Sequence, residues 1–246
     1  MTDSWLAADW DAPHRVRAGT TTRLGGVSRP PFDSLNLAQH VDDDPEAVRQ
    51  NRRQLRQMCS LPAEPLWLTQ THSSHIIEAD AAESVAADAA WTRSAGIVCA
   101  VLTADCVPLL LCDRAGTRIA AVHVGWRGLS AGIVENALDC LRPSEHSLLA
   151  WLGPHICAEH YEVGGEVRDA CLERFPGSDA AFRCNTRGRW QCSLATLVSG
   201  LLEQHGIAVT ASGHCSFGEP DRFYSYRRQK NTGRMASLIW MDNTSI

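Results

Sequence analysis

Residues 95–128 read AGIVCAVLTADCVPLLLCDRAGTRIAAVHVGWRG, and the fold is decided there. The stretch holds three apolar runs, at 97–102, 109–112 and 119–124, separated by the polar turn residues Asp105, Asp113 and Gly116 and closed by Gly125. Runs this short, rich in Val, Leu and Ile and apolar at successive positions, predict strands buried on both faces.

Upstream, Val16, Ala18, Thr20 and Thr22 alternate onto one face and predict a strand over 16–22 that runs into Gly25 and Gly26. Residues 25–44 follow neither a helical nor a strand period. They predict an irregular loop, and a loop of that length in a compact fold tends to carry function. Asp43 or Asp44 before Pro45 marks a helix start, because a carboxylate caps free amides and proline suits the first turn. Val48, Leu55 and Met58 give that helix its apolar stripe. Arg49, Arg52, Arg53 and Arg56 occupy its other faces, with Arg52 the one expected to turn inward and hold a loop. Short strands are predicted at 67–71 and 75–78, around a polar THSS segment.

Downstream, Leu129, Ile133, Ala137, Leu138 and Leu141 recur at helical spacing and predict one helix over 129–142, stopped by Pro143. Further helices are predicted over 165–175 and 193–205, with Ser193 as a cap, and further strands at 148–152, 207–211 and 236–241. This order is mixed, unlike the regular alternation of a Rossmann or TIM fold. It predicts an α+β layered sandwich with mixed sheets, in one domain spanning residues 1–246.

The chain of 246 residues is long enough to bury a large core. No run approaches the length a membrane-spanning helix needs. The net charge of -5 argues against a general nucleic-acid binder, whose affinity rests on many phosphate contacts. The acidic amino terminus, broken by Pro13, lacks the basic and apolar regions of a secretory signal, so a cytoplasmic location is expected. The 10 cysteines therefore read as thiols, most of them small core hydrophobes. No CxxC pair occurs.

A catalytic zinc site takes three protein ligands and leaves a fourth position open. His72, Cys106 and His123 meet that count, although their spacing matches no short metal motif, and residue types alone favour core packing or hydrogen-bonded histidines over a metal role. His155, Cys157 and His160 form a second group able to bind metal, whose Pro154 and Tyr161 suit an ordered loop near the cleft.

The blocks GGVSRPPFDSLNLAQHVDDDPEAVRQNR, QTHSSHI, DAAWTRSAGIVCAVLTADCVPLLLCD, AAVHVGWRGLSAGIVENAL, LGPHICAEHYEVGGEV and FYSYRRQKNTGRMASLIW, in that order, resemble the multicopper polyphenol oxidoreductase or laccase-domain family over nearly the whole chain. The resemblance implies a zinc site from His72, Cys106 and His123, which are then also the catalytic groups. It implies an α/β/β/α sandwich similar to the cysteine-hydrolase fold of a bacterial deamidating toxin. It further implies phosphorolysis of adenosine, inosine and methylthioadenosine, with an accompanying adenosine deaminase activity. Some family members are described instead as editing factors for peptidoglycan precursors.

Deamination fits a zinc ion that brings the pKa of water toward neutrality, but the paired HxE and PCxxC elements of the usual zinc deaminases do not occur together here. Phosphorolysis needs cations for phosphate, and Arg23, Arg127, Arg227 and Arg228 are the candidates, because a guanidinium grips two oxygens at once. Asn36, His75 and Asp105 are candidate polar groups of the same pocket, and Trp126 and Tyr161 candidate stacking partners for a purine. Two features depart from the family pattern: Ser193 stands where an aspartate is usual, and QKN precedes TGR.

Three readings compete with a zinc phosphorylase. A metal-free cysteine hydrolase would have His123 activate Cys106. A copper-dependent phenol oxidase would need a weak axial ligand or many more histidines. A binding protein engaging cell-wall precursors or their ligases would close the metal with a fourth ligand. The expected partners are a purine nucleoside and phosphate, with no nucleic acid and no membrane.

Overall fold

A computed structural model describes residues 3–81, 85–141 and 147–243. The chain runs β1 (Trp5–Ala7), β2 (Val16–Thr21), α1 (Pro45–Met58), β3 (Ile76–Glu78), β4 (Ala89–Thr92), β5 (Val98–Thr103), β6 (Val107–Asp113) and β7 (Ile119–Val124). It continues through α2 (Trp126–Ser130), α3 (Ile133–Leu141), β8 (Leu148–Leu152), β9 (Glu162–Val163), α4 (Gly165–Arg174), β10 (Phe182–Cys184), β11 (Trp190–Cys192), α5 (Leu194–Gln204), β12 (Ala208–Ala211) and β13 (Met235–Met241).

Two sheets result, one in the order β1-β2-β13-β5 and one in the order β12-β8-β6-β7-β4-β3, with a small third sheet β10-β11-β9 at the side. The larger is mixed: β12 runs parallel to β8 and β3 to β4, while the other pairs are antiparallel. The side-chain alternation of a strand then sorts every apolar run into two faces. In β5, Cys99 and Val101 face the second sheet while Val98, Ala100 and Leu102 face outward. In β7, Ile119 and Ala121 face inward while Ala120, Val122 and Val124 point the other way. The layer between the sheets also holds Leu110, Trp151, Ile239 and Met241.

Each outward face needs a cover. Leu55 of α1 and the loop residues Phe32, Leu35 and Leu37 cover the four-stranded sheet. Residues of α3 and α5, among them Ile133, Leu138, Leu197 and Leu202, cover the other. The architecture is the expected α/β/β/α sandwich, held by burial worth about 1.5–3 kcal/mol for each fully buried large aliphatic side chain.

Four expectations need correction. Residues 67–71 form no strand: Leu66 makes a single bridge to Cys99, and the Gln70 side chain takes the place of a ladder, donating to the Leu102 carbonyl at 2.8 Å and accepting its amide at 2.7 Å. The helix expected over 129–142 is two, because Gly132 sits at φ +91 and turns the chain between α2 and α3. Its expected stop at Pro143 lies outside the described residues. Strand β4 was not expected, since its alanines lack strand propensity. Nor were β9, β10 and β11, each too short to show a period. The start of α1 is as expected, with Asp44 accepting the Glu46 amide. Arg52 does turn inward, donating twice to the Leu37 carbonyl.

Candidate metal centre and cleft

His72 lies in the turn after Gln70, Cys106 in the turn joining β5 to β6, and His123 near the end of β7, opposite Pro108 of β6. The sandwich brings them together, with one donor atom from each within 4.8 Å of the others. Cys106 Sγ is 3.8 Å from His72 Nε2, and the two imidazoles meet edge to face with centroids 4.8 Å apart. A tetrahedral ion at ordinary Zn–S and Zn–N distances would hold sulfur and nitrogen roughly 3.6 Å apart, so the donors already stand near ligating separation.

Asp88, just before β4, organises both histidines. Its side chain is fully buried and accepts the amides of Thr71 at 3.1 Å, His72 at 2.9 Å and Ser73 at 2.7 Å, and the Ser73 hydroxyl at 2.7 Å. The same carboxylate takes His123 Nδ1 at 2.8 Å, and its backbone carbonyl accepts the His123 amide. His72 is thereby held at φ +63, a left-handed conformation rare for a residue with a side chain. With Nδ1 bound to Asp88, His123 is left with Nε2 facing the sulfur, as metal-ligating histidines generally are. Gly125 completes the cradle, for a Cβ there would lie 2.7 Å from the His72 ring and 3.1 Å from Cys106 Sγ.

Burial works against charge at these groups, yet their mutual attraction prevails. Burial alone would raise the Cys106 thiol, but His123 and then His72 bring it down to about 6. Burial opposes protonation of His123, but Cys106 and Asp88 raise it to about 9. Asp88, despite burial, is held well below the usual carboxylate range by His123 and Ser73. In metal-free protein a thiolate–imidazolium pair therefore exists between about pH 6 and 9. The thiolate's contribution to stability is lost as pH falls through the lower limit, and the imidazolium's as pH rises through the upper. Alkylation of Cys106 in chelator is expected to rise through about pH 6, well below an ordinary thiol, and to be suppressed by added zinc; a rise near 9 instead would show that the pair does not form.

The donors form the floor of a cleft of about 510 Å³. Its walls carry Arg127, Arg227, Arg234, Trp126, Tyr161 and Tyr226, with His40 from the long loop also lining it. Arg127 lies over the Trp126 ring at 4.4 Å and has no carboxylate partner among the described residues. Arg227 lies over Tyr161 at 4.9 Å and donates to the Glu162 carbonyl at 2.5 Å. A larger hollow of about 600 Å³, lined by Trp5, Trp10, His14, Met58 and Trp240, lies away from these donors.

Of the other predicted site residues, Asn36, Arg23, Arg228 and His75 do not line the cleft, and Asp105 does. Asn36 is fully buried and spends its side chain on Ala38, Asp43 and the Arg234 amide. Arg23 is tied to Asp33 and the Pro220 carbonyl, and Arg228 braces the carbonyls of Ser216, Phe217 and Phe223. His75 is exposed beside Ser73 and does not line the cleft. Asp105 is buried, accepting Ser216 Oγ at 2.7 Å and the Arg227 amide at 2.6 Å; it props the Cys106 turn and contacts neither His72 nor His123. Sequence reasoning missed His40, Gln70, Tyr226 and Arg234, which line the cleft, and Asp88, buried behind the donors.

Two packed sheets, with two histidines and a cysteine as donors at the floor of an arginine-walled cleft, define an α+β protein with a potential metal centre in that cleft. The family described as multi-copper polyphenol oxidoreductase laccase matches residues 17–242, and the chain belongs to it. A protein of Pseudomonas aeruginosa named as a purine nucleoside phosphorylase is 49% identical, the match covering 98% of this chain and 100% of that one. Purine nucleoside phosphorylase YfiH of Escherichia coli is 42% identical over 96% of this chain and 98% of its own. A crystal structure of a Neisseria meningitidis protein superposes with a TM-score of 0.92 at 43% identity, covering 98% of this chain and 100% of that one. No helix among the described residues is long and apolar enough to cross a membrane.

Proposed function

We propose that this chain is a zinc-dependent purine nucleoside phosphorylase acting on adenosine, inosine and methylthioadenosine, with adenosine deamination as an accompanying reaction, in one catalytic domain spanning residues 1–246 in the cytoplasm. The observation that carries it is the pairing of the His72, Cys106 and His123 donors with Arg127, Arg227 and Arg234 around one open cleft. The names of the relatives point the same way.

In phosphorolysis the bond from C1′ of the ribose to the purine breaks, a phosphate oxygen bonds to C1′, and the departing base takes up a proton. The arginines hold phosphate, whose negative charge offsets the positive charge developing on the ribose. Trp126, Tyr161 and Tyr226 offer ring faces to the purine. His72, Cys106 and His123 would hold the zinc, with Asp88 fixing the His123 imidazole and the backbone of the His72 turn. When bound there, zinc supplies Lewis acidity to an oxygen or nitrogen of the substrate. Two imidazoles and one thiolate with an open position suit zinc, whose catalytic sites take three protein ligands of these types.

Metal-loaded protein incubated with adenosine should release adenine, and hypoxanthine from any inosine formed, only when phosphate is present, whereas inosine itself should appear irrespective of phosphate. Absence of phosphate-dependent base release would overturn the assignment. Arg127→Ala is expected to raise the KM for phosphate roughly tenfold to a hundredfold with a smaller change in kcat, read from initial rates at varied phosphate.

The depressed Cys106 thiol favours one further reading, a metal-free cysteine hydrolase with His123 as base, such as an editing enzyme for cell-wall precursors. Retention of full activity in chelator would select it.

A further inference from the structure

A second set of soft donors stands outside the cleft. Cys157 Sγ is 2.8 Å from Cys215 Sγ, and His160 Nδ1 lies 3.1 Å from the first sulfur and 3.5 Å from the second. His155, the third member expected from the sequence, is directed elsewhere, its Nδ1 on the Gly153 carbonyl at 2.7 Å. Cys215, distant in sequence, takes that place because its loop pairs with the 155 segment: His155 donates its amide to the His214 carbonyl, and the Ser216 amide donates to the His155 carbonyl.

Three further features suit a metal. Cys215 Sγ accepts the amides of Cys157 at 3.3 Å and Gly218 at 3.4 Å, and amide donors aimed at sulfur favour the thiolate. The His160 ring is stacked on Phe217 with centroids 4.4 Å apart, which fixes its Nδ1 toward the sulfurs. The turn that carries two of the donors is itself closed, the His160 amide donating to the Cys157 carbonyl at 3.1 Å.

We propose that Cys157, His160 and Cys215 form a second metal site, separate from the cleft, which takes a thiophilic d10 cation of the zinc class and clips two loops together. Thiolates with an imidazole select such ions over magnesium or calcium. Ordinary bond lengths around tetrahedral zinc require sulfur and nitrogen to stand roughly 3.6 Å apart and the two sulfurs roughly 3.8 Å apart. The sulfur–nitrogen pairs are close to that already, and the sulfurs reach it by parting about 1 Å. Binding exchanges two thiol protons for the cation and releases them to water.

The clip has a consequence for the cleft. The loop from the first side donates the Ile156 amide to the Asp105 carbonyl and carries Tyr161, while the second donates Ser216 Oγ to the Asp105 carboxylate. Asp105 precedes Cys106 and receives the Arg227 amide. The second ion therefore braces the wall behind the first centre without touching substrate.

The test isolates this site by removing the other. Cys106→Ala protein, fully reduced and metal-free, is titrated with Co²⁺ and then Zn²⁺. The expected result is one equivalent bound, with thiolate-to-cobalt charge-transfer absorption that disappears in Cys106→Ala/Cys215→Ser and weakens in Cys106→Ala/His160→Gln. Zinc should raise the Tm of the Cys106→Ala chain on the order of 5–10 °C. The His160 variant keeps the test meaningful if the cysteine variant does not fold. No thiolate-bound cobalt in reduced Cys106→Ala protein, or uptake unchanged by both double variants, overturns the proposal. A Cys157–Cys215 disulfide that persists in reductant does the same. Failure of the cleft assignment gives a different result, because wild type would then bind the same single equivalent as Cys106→Ala.

Discussion

Cys106→Ala is expected to lower zinc affinity in the cleft roughly 10²- to 10³-fold and turnover at least about 10³-fold. The affinity follows from sharing the binding free energy of a zinc site, about 10–16 kcal/mol for four ligands, among its members. The loss of turnover follows because metal charge stabilisation is worth several kcal/mol and each 1.36 kcal/mol is about a tenfold change in rate. The thiolate is also the only anionic ligand of the set, so its removal leaves two imidazoles facing a divalent ion in a cleft walled by arginines. Folding should survive, for the side chain sits at the cleft floor and removing it leaves both core layers intact. Metal content after dialysis and base release from adenosine provide the readout. Full zinc retention in the cleft with activity abolished would make Cys106 a nucleophile instead of a ligand. To separate the two sites, the measurement is made in a Cys157→Ser background.

The layers of the sandwich were legible because β5, β6, β7, β8 and β13 are apolar on both faces, and a strand with no polar face must lie between two covers. Every residue of those five strands is buried, even polar ones such as Thr103, Asp113 and Ser237. The ladder partners were not legible, since register is a tertiary property and nothing in 16–22 announces pairing with 235–241. Gln70 shows a subtler limit: a side-chain amide imitates a strand's hydrogen bonds, so a segment that reads as extended joins the sheet without becoming a strand. In the site, the three donors are residues whose chemistry marks them, and Arg127 and Arg227 carry a charge that a phosphate needs. Asp88 offered no such mark. One aspartate before an alanine-rich strand looks like a turn residue until the fold brings Thr71–Ser73 and His123 around it. Asn36, Arg23 and Arg228 show the converse, since polar residues within a shared block serve as well to hold loops as to touch ligands.

Asp88→Asn tests whether one carboxylate governs both the His123 imidazole and the His72 turn. The substitution keeps shape and one acceptor, but the new amide group presents hydrogens to the Ser73 amide and hydroxyl or to the His72 amide, whichever way it turns. Buried donors then face donors, and a paired buried histidine loses its anion. The His72 turn, held at φ +63 by those bonds, is free to relax to a commoner conformation and draw its Nε2 from the sulfur. Without the carboxylate, His123 also loses the partner that fixes its tautomer, and Nδ1 and Nε2 compete for the proton. The expected result is a 10- to 100-fold loss in zinc affinity, which is about what losing such an orienting partner costs, with a fall in stability of about 3 kcal/mol. Because the folded-state pKa of Asp88 is depressed, wild-type stability drawn from this group is present above the ordinary carboxylate range and is lost progressively as pH falls from that range through the depressed value. The difference in unfolding midpoint between metal-free wild type and variant should therefore narrow in acid as Asp88 is protonated, and narrow again as pH rises through about 9 and His123 loses its proton. A variant that binds zinc and unfolds like wild type would mean that Thr71–Ser73 and His123 are held by their surroundings and that Asp88 is a bystander.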